Sequence, residues 1–486
     1  MKKVFKEIIP QEGFTFKDLV MEILLILGEK LAKALNMLLV GLDDALCFKA
    51  RGSGELKGWE SIGKKERSLI TLFGLEIRYK RRGYRRKGPD GYEYRYPLDE
   101  LLGLRKEERF CPLVQQIAVA LAAKMSYREA ALFMEKFLLV PVSHQEIHRW
   151  VQEAGEARLA EQEKEREAFF EDGEVKEGRR EAELVVIEAD GVYIPLQRTG
   201  GARRAEIKLG TMHEGWEAES PSKKRFRLKG KECWGGVMEK EAFWETGACL
   251  YYRRYRKAGT LIINGDGAEW IEGVKEYLPE AEVYLDPFHR NRALREGLSF
   301  SPELLRKAYH CLDRGDLVGL EEVFTQAVSI ASSREQKQRV KKLKEYFERG
   351  GNILDWRNGR EEGLAGISIL RGLGAAEPQN NHVIAARMKK KGMSWTVKGA
   401  NNMVQLRCLA ASGKLEGWLD AHQRARWPEL KGSRLEEVRE RVLKPLRGTD
   451  VGGWLRASIP LLATKAQASP LGEVLKVLSC NSSFVA

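Results

Sequence analysis

Residues 183–197 read ELVVIEADGVYIPLQ, an apolar stretch that ends in Asp190 immediately before a glycine. Its run of aliphatic, partly β-branched side chains reads as a buried strand. Outward from it, 205–213 and 233–238 carry second and third strand signals, and 242–257 reads as a helix. A further apolar strand, 260–264, ends at Gly265-Asp266-Gly267, a helix is expected over 269–277, and a fifth strand over 282–285 leads into Asp286-Pro287-Phe288-His289. Three strands, helix, strand, helix, strand is an α/β succession, consistent with a ribonuclease H-like sheet. From 302 to 363 the chain is charged and helical without a strand signal, which predicts an all-α insertion. The α/β pattern resumes over 372–387, where Glu377-Pro378 marks a helix start because proline is tolerated in the first turn.

The 486 residues hold 83 Lys plus Arg against 70 Asp plus Glu, a net charge of +13, with a pI near 9.2. With 43% hydrophobic and 9% aromatic residues the chain is globular and long enough for several cores, which excludes a disordered or fibrous protein. Its seven cysteines are scattered, with no C-x-x-C pair, so neither a disulfide framework nor a zinc ribbon is expected, and they read as reduced thiols of a cytoplasmic protein. The opening MKKVFKEIIPQEGF lacks the features of a signal peptide. The most apolar stretch, Leu19 to Leu42, is interrupted by Glu22, Glu29, Lys30, Lys33 and Asn36 at helical spacing. It reads as an amphipathic helix for a core or a partner helix rather than a membrane span.

Between these regions lies the basic part of the chain. Residues 69–96 alternate apolar or aromatic with charged side chains and turn at Gly88-Pro89-Asp90-Gly91, a hairpin signal. Arg78, Lys80, Arg81, Arg82, Arg85, Arg86 and Lys87 sit there with no acid between them, interleaved with Tyr79 and Tyr84. Such a strand suits a phosphate backbone, or is an edge strand guarded by charge. Helices follow at 112–124, 126–137 and 143–155, the last opened by Ser143-His144-Gln145-Glu146, a capping box. The second and third resemble a helix-turn-helix, in which His144, Gln145, His148 and Arg149 would face a major groove, though paired helices are also ordinary packing. The charged stretch to 180 reads as a helical connector.

Asp190 and Asp266 each end an apolar strand of one α/β pattern, where open sheets bind their ligands. Either alone is an ordinary turn aspartate. Together on a basic chain they point to divalent-cation chemistry on nucleic acid, with two cations serving in-line displacement at phosphorus. A third acid is required; Glu377 at its helix start is the candidate, with Glu361 and Glu362 as rivals. Arg387, on the same helix, would reach a DNA phosphate.

The segments EADGVYIPLQ, EIKLGTMHEGWE, INGDGAEWI, YLDPFHRNRAL, GAAEPQNNHVIAARM and MSWTVKGANNMVQLR resemble, in order and spacing, the bacterial insertion-sequence transposases of the ISLre type, which are similar to Mutator-like DDE transposases. YPLDELLGL, MSYREAA and VSHQEIHRWVQEAGE extend the resemblance upstream, so that it covers about Tyr96 to Arg407. It implies a DDE recombinase with Asp190, Asp266 and Glu377 as its acids and metal ligands, Mg²⁺ as cofactor with Mn²⁺ as substitute, and a helical insertion before the last acid. Asp286 and His289 match the family's acid-or-cysteine, two residues, histidine motif, either as a capped helix start or as part of the DNA-holding site.

The expected organisation is an amphipathic helical region (1–65), a basic hairpin and helix-turn-helix-like DNA-binding region with its connector (66–180), a ribonuclease H-like core in two parts (181–300 and 366–415) around an all-helical insertion (301–365), and a basic helical tail (416–486). The expected function is cleavage and strand transfer of the terminal inverted repeats of an insertion sequence, on double-stranded DNA of element ends and target, by a homodimer or higher oligomer and without a membrane. A non-catalytic DNA-binding derivative of a transposase is the alternative. A structure-selective nuclease on the same fold would not carry the elaborate N-terminal half.

Overall fold

The computed structural model describes residues 15–53, 56–173, 178–197, 201, 203–219, 225–349, 351–355, 373–389 and 392–425. Glu361, Glu362 and nearly all of the expected basic tail lie outside the described residues. The chain divides into two units, one of residues 1–117, 131–142 and 420–486, the other of 118–130 and 143–419.

In the first unit a long helix α1 (Phe16–Ser53) precedes an antiparallel sheet of β1 (Glu60–Ile70), β2 (Glu76–Gly88) and β3 (Gly91–Arg95). The turn stands where the sequence places it, with Gly88 paired to Gly91 around Pro89-Asp90. The strand β1 is additional: its stretch ESIGKKERSLI carries too many charges for an alternation signal. Leu35, Leu39, Leu42 and Leu46 of α1 pack on Leu69, Ile77, Tyr79 and Leu98, the last in the short helix α2 (Pro97–Leu101). Earlier in α1, Leu24, Leu25, Leu27 and Leu31 are exposed. No helix among the described residues is long and apolar enough to cross a membrane.

Three helices come next, α3 (Pro112–Lys124), α4 (Tyr127–Leu138) and α5 (His144–Phe170). The Ser143 hydroxyl accepts the Glu146 N–H at 3.1 Å, as the capping motif predicts, although the Glu146 carboxylate goes to Arg149. The reciprocal capping box is at α4, where Ser126 and Glu129 bond each other's amides. The expected connector is no separate element, because α5 runs through it to Phe170.

The second unit is built on a mixed sheet. Its strands are β4 (Arg180–Pro195), β5 (Arg204–His213), β8 (Glu232–Gly236), β9 (Tyr255–Gly265) and β10 (Glu282–Leu285); β6 (Trp216–Ala218) and β7 (Phe226–Leu228) form a separate hairpin. The order is β10-β9-β4-β5-β8, with β4, β9 and β10 parallel and β5 and β8 antiparallel to their neighbours. One face packs Val185, Ile187 and Ile263 on Phe243, Trp244 and Ala248 of α6 (Lys240–Arg254). The other face carries the smaller cluster Leu184, Val186, Ile262 and Tyr284.

The short α7 (Glu269–Glu272) follows β9, and α8 (Pro287–Gly297) follows β10. The described residues 302–349 form three helices. Helices α9 (Pro302–Arg314), α10 (Leu317–Ile330) and α11 (Arg334–Arg349) share a core with the end of α8, through Leu294, Leu304, Leu312, Phe324, Leu343 and Phe347. The helical run α12 then has three segments, Ala376–Gln379, a π-helical Asn380–Ala385 and Ala386–Met388. Helix α13 (Val397–Ala411) lies on β8, where Gln405 donates to the Gly235 carbonyl at 2.9 Å, and α14 (Leu415–Ala425) closes the described chain.

A candidate active site across three parallel strands

Ala189 on β4 pairs with Gly265 on β9, and Gly265 pairs with Leu285 on β10. The next residue in each case is an aspartate, so Asp190, Asp266 and Asp286 stand side by side at one height; Asp266 and Asp286 follow their strand ends, whereas β4 does not end at Asp190 as expected but runs on to Pro195 in its ladder with β5. Each carboxylate is held locally. Asp190 Oδ1 accepts the Gly191 N–H at 2.7 Å, and Asp266 Oδ1 accepts the Ala268 N–H at 3.0 Å. Asp286 Oδ1 accepts the Phe288 and His289 N–H groups at 2.9 and 3.2 Å, capping α8 in the manner the motif allows. Burial pushes the Asp190 carboxyl up to about 6; Asp266 and Asp286 add to the rise, while the Gly191 amide and the neighbouring His289 oppose it. Crowded carboxylates at strand ends are what a cation would relieve.

Glu377 is the second residue of α12 and is exposed. Asn380, three residues on and thus on the same side of the helix, donates Nδ2 to Asp190 Oδ2 at 2.5 Å. Among the described residues no group of three or more Asp, Glu, His or Cys side chains is arranged to hold a metal ion. The structure therefore gathers Asp190, Asp266, Asp286 and His289 and leaves the Glu377 carboxylate in solvent one helical turn from Asn380. The donor chemistry still fits a hard cation: the set is oxygen-rich, and the buried Asn264 Oδ1 and Asn380 Oδ1 have no hydrogen-bond partner.

Below this row lies a group the sequence reading did not single out. Glu188, only 2% exposed, accepts from His213 Nε2 at 3.3 Å, from Asn264 Nδ2 at 3.1 Å, and from the Gly374 and Ala376 N–H groups at 3.2 and 2.9 Å. Burial alone would raise its carboxyl, but the bond from His213 and the amides that open α12 bring it below the ordinary range. Asn264 spends its second amide hydrogen on Asp286 Oδ2 at 2.9 Å. The signal was an acid inside the buried run LVVIEA, where an unpaired charge is untenable. His213, given no role by the sequence reading, is part of this group.

Two of the candidate DNA contacts, Arg387 and Arg81, are buried. Arg387 is 3% exposed; its Nε donates to the Ala122 carbonyl at 2.9 Å, and its guanidinium lies 5.3 and 5.4 Å from the Tyr127 and Trp395 ring centres. It braces α12 internally and is out of reach of a phosphate. On the hairpin, Arg81 is buried and bonds Asp99 at 2.5 Å, beside Arg67 on the same carboxylate. Arg82 meets Asp43 and Asp44, Arg78 meets Glu76, Arg85 meets Glu60, and Arg86 meets Glu93. Apart from Glu76 on β2 itself, these acids come from neighbouring elements. Lys80 and Lys87 remain exposed. On α5, Gln145, His148 and Arg149 are exposed and His144 is half-buried; Arg149 bonds Glu146 and Glu153, and burial lowers the pKa of His148, whose ring stands edge-on to Tyr127.

These features define a mixed α/β protein with an acid-lined strand-end site. The chain belongs to the uncharacterised protein family UPF0236, which it matches over residues 9–425. Similar proteins include UPF0236 proteins of Caldanaerobacter subterraneus subsp. tengcongensis, one 26% identical over 85% of this chain and 81% of its own length, another 27% identical over 73% and 70%. A UPF0236 protein of Streptococcus gallolyticus is 26% identical over 87% of this chain and 88% of its own.

Proposed function

We propose that this protein is a DDE-type transposase that binds the terminal inverted repeats of an insertion sequence and catalyses metal-dependent cleavage and strand transfer. The observation that carries the reading is the register that sets Asp190, where β4 stops pairing with β9, beside Asp266, just past the end of β9, with the Asp190 carboxyl displaced upward. Two further facts support it. Numbered from β4, the sheet runs third, second, first, fourth, fifth strand, with the second antiparallel to both its neighbours and a helical insertion before α12, the arrangement expected of a ribonuclease H-like core. One relative's name joins eleven locus designations of a single organism, as a gene copied about a genome would require.

In this reading Asp190 and Asp266 hold the cation, Asn380 fixes the orientation of Asp190, and Glu377 completes the set by a movement of its exposed side chain. Mg²⁺, or Mn²⁺ in its place, supplies activation of the attacking hydroxyl and stabilisation of the leaving oxygen at phosphorus. His289 stands beside the acids, and the exposed Lys80 and Lys87 with the α5 face meet DNA. Two element ends call for at least two copies on the DNA. A second reading, a non-catalytic DNA-binding derivative, is favoured by the exposed Glu377 carboxylate and the lack of a three-residue metal group among the described residues.

The test uses the full chain with duplexes taken from the DNA on either side of its gene, in Mg²⁺ or in EDTA. Asp190→Asn and Asp266→Asn should each cut cleavage by more than the roughly 10–100-fold that loss of a ligand's outer partner costs, with end binding intact. Cleavage persisting in both variants would sink the reading; binding by the wild type without any cleavage would select the second.

A further inference from the structure

Helix α12 begins without a cap of its own. Its N-cap is Ala375, which has no side chain able to accept a bond from the first-turn amides. Those amides would be orphans under the sheet unless another group met them. Glu188 does so from β4: its Oε2 accepts from Ala376 N–H at 2.9 Å and from Gly374 N–H at 3.2 Å. Gly374 has φ +123°, a conformation side chains rarely adopt, and it turns the chain so that both amides face one carboxylate. A buried negative charge at a helix N-terminus also complements the helix dipole.

The carboxylate is held against that duty from the other side. His213 Nδ1 accepts the Gly215 N–H at 3.1 Å, which leaves Nε2 as the hydrogen-bearing nitrogen facing Glu188 Oε1. Asn264 divides its amide hydrogens between Glu188 and Asp286, and Asp286 caps α8. One chain of bonds, from His213 through Glu188 and Asn264 to Asp286, thus pins two helix starts to the strands beside Asp190 and Asp266. The strands have their own ladders and apolar faces, so the bonds to Gly374 and Ala376 act chiefly on α12.

From this geometry we infer that Glu188 is a positioning residue: it caps α12 from across the sheet and thereby sets the height of Asn380 and Glu377 against Asp190. The consequence for catalysis rests on the transposase reading; the capping does not. In Glu188→Gln the amide must turn its NH₂ either toward the α12 amides or toward His213 Nε2–H, and both are donors, so one side of the hub is lost.

Hydrogen exchange on the full-length protein tests this. In Glu188→Gln the amides of Gly374, Ala376, Glu377, Gln379 and Asn380 should exchange on the order of tenfold faster, while those of Ile187 and Ile263 in the sheet stay as in the wild type. The Mg²⁺ concentration for half-maximal cleavage should rise by about as much, with affinity for the DNA ends unchanged. Unchanged protection at Gly374 and Ala376, or equal acceleration throughout β4 and β9, would overturn the inference. If the wild type cleaves nothing, the transposase reading falls and exchange alone decides the capping role. Should Glu188→Gln fail to fold, Glu188→Asp keeps the charge but withdraws it by one methylene, and the same local pattern is expected.

Discussion

Asn380 Nδ2 lies 2.5 Å from Asp190 Oδ2, a bond between α12 and the central parallel strand across 190 positions of sequence. It joins the element that carries Glu377 directly to a carboxylate that burial and two neighbouring acids push up to about 6. A metal-free site therefore holds Asp190 at a cost, and Asn380 offsets only part of it.

That cost has a definite pH dependence. Below about pH 4 Asp190 carries its proton in both folded and unfolded chains, between about 4 and 6 mainly in the folded chain, and above 6 in neither. Stability is thus lost as pH rises through that window, by on the order of 2–3 kcal/mol when complete. Asp190→Asn removes the charge, so without divalent cations its melting temperature should exceed the wild type's by a few degrees at pH 7.5, with the difference gone near pH 4. Calorimetry across that range checks it, and a variant less stable than wild type at pH 7.5 would contradict the assignment.

Cation binding should carry the opposite signature. A ligand that binds only the folded chain raises its stability by mass action, and a carboxylate must lose its proton to take a cation. Millimolar Mg²⁺ should therefore raise the wild-type melting temperature at pH 8, less so as pH falls through about 6, and leave Asp190→Asn and Asp266→Asn unmoved. An equal rise in wild type and variants would place the bound cation elsewhere.

The hairpin arginines separate into two roles. Arg81 and Arg67 share the buried Asp99 carboxylate, and breaking a buried pair typically costs about 3–5 kcal/mol, so Arg81→Ala should lower thermal stability sharply. Lys80 and Lys87 are exposed, and replacing both with alanine should leave stability within about 0.5 kcal/mol while lowering the DNA-binding salt slope by about 2. The reverse division of effects, read by melting and by salt titration, would refute the pairing.

How far the sequence could be read follows from range. The strands of the second unit were legible because LVVI and TLII are apolar runs bounded by Asp-Gly, a local pattern, and the register that aligns Asp190 with Asp266 follows from pairing two such runs. Arg387 misled because its helix is amphipathic in pattern while the Ala122 carbonyl that captures it lies 265 residues away. The hairpin's ion pairs could not be read from its sequence, since Asp43 and Asp99 are remote from the strand they neutralise. Glu188 was visible as a charge in an apolar run, but its partners at 213, 264, 374 and 376 were not.

The third acid is the remaining decision. Glu361 and Glu362, in DWRNGREEGLAG, lie outside the described residues. Glu377 sits on a helix whose start is bonded to Glu188, whose Asn380 is bonded to Asp190, and whose Val383 and Ile384 are buried. Arg407 donates to the Val383 carbonyl at 2.7 Å and steadies the π-helical segment that follows. Glu377 and Asn380 are one turn apart, roughly 5–6 Å between Cβ atoms, so an exposed glutamate rotamer has a short path toward the acids. Glu377→Gln should abolish end cleavage while Glu361→Gln with Glu362→Gln keeps near-normal rates, because ångström-scale misplacement of a ligand costs on the order of a hundredfold. Activity surviving in Glu377→Gln but lost in the double variant would move the third acid to the other segment and leave α12 a structural support for Asp190.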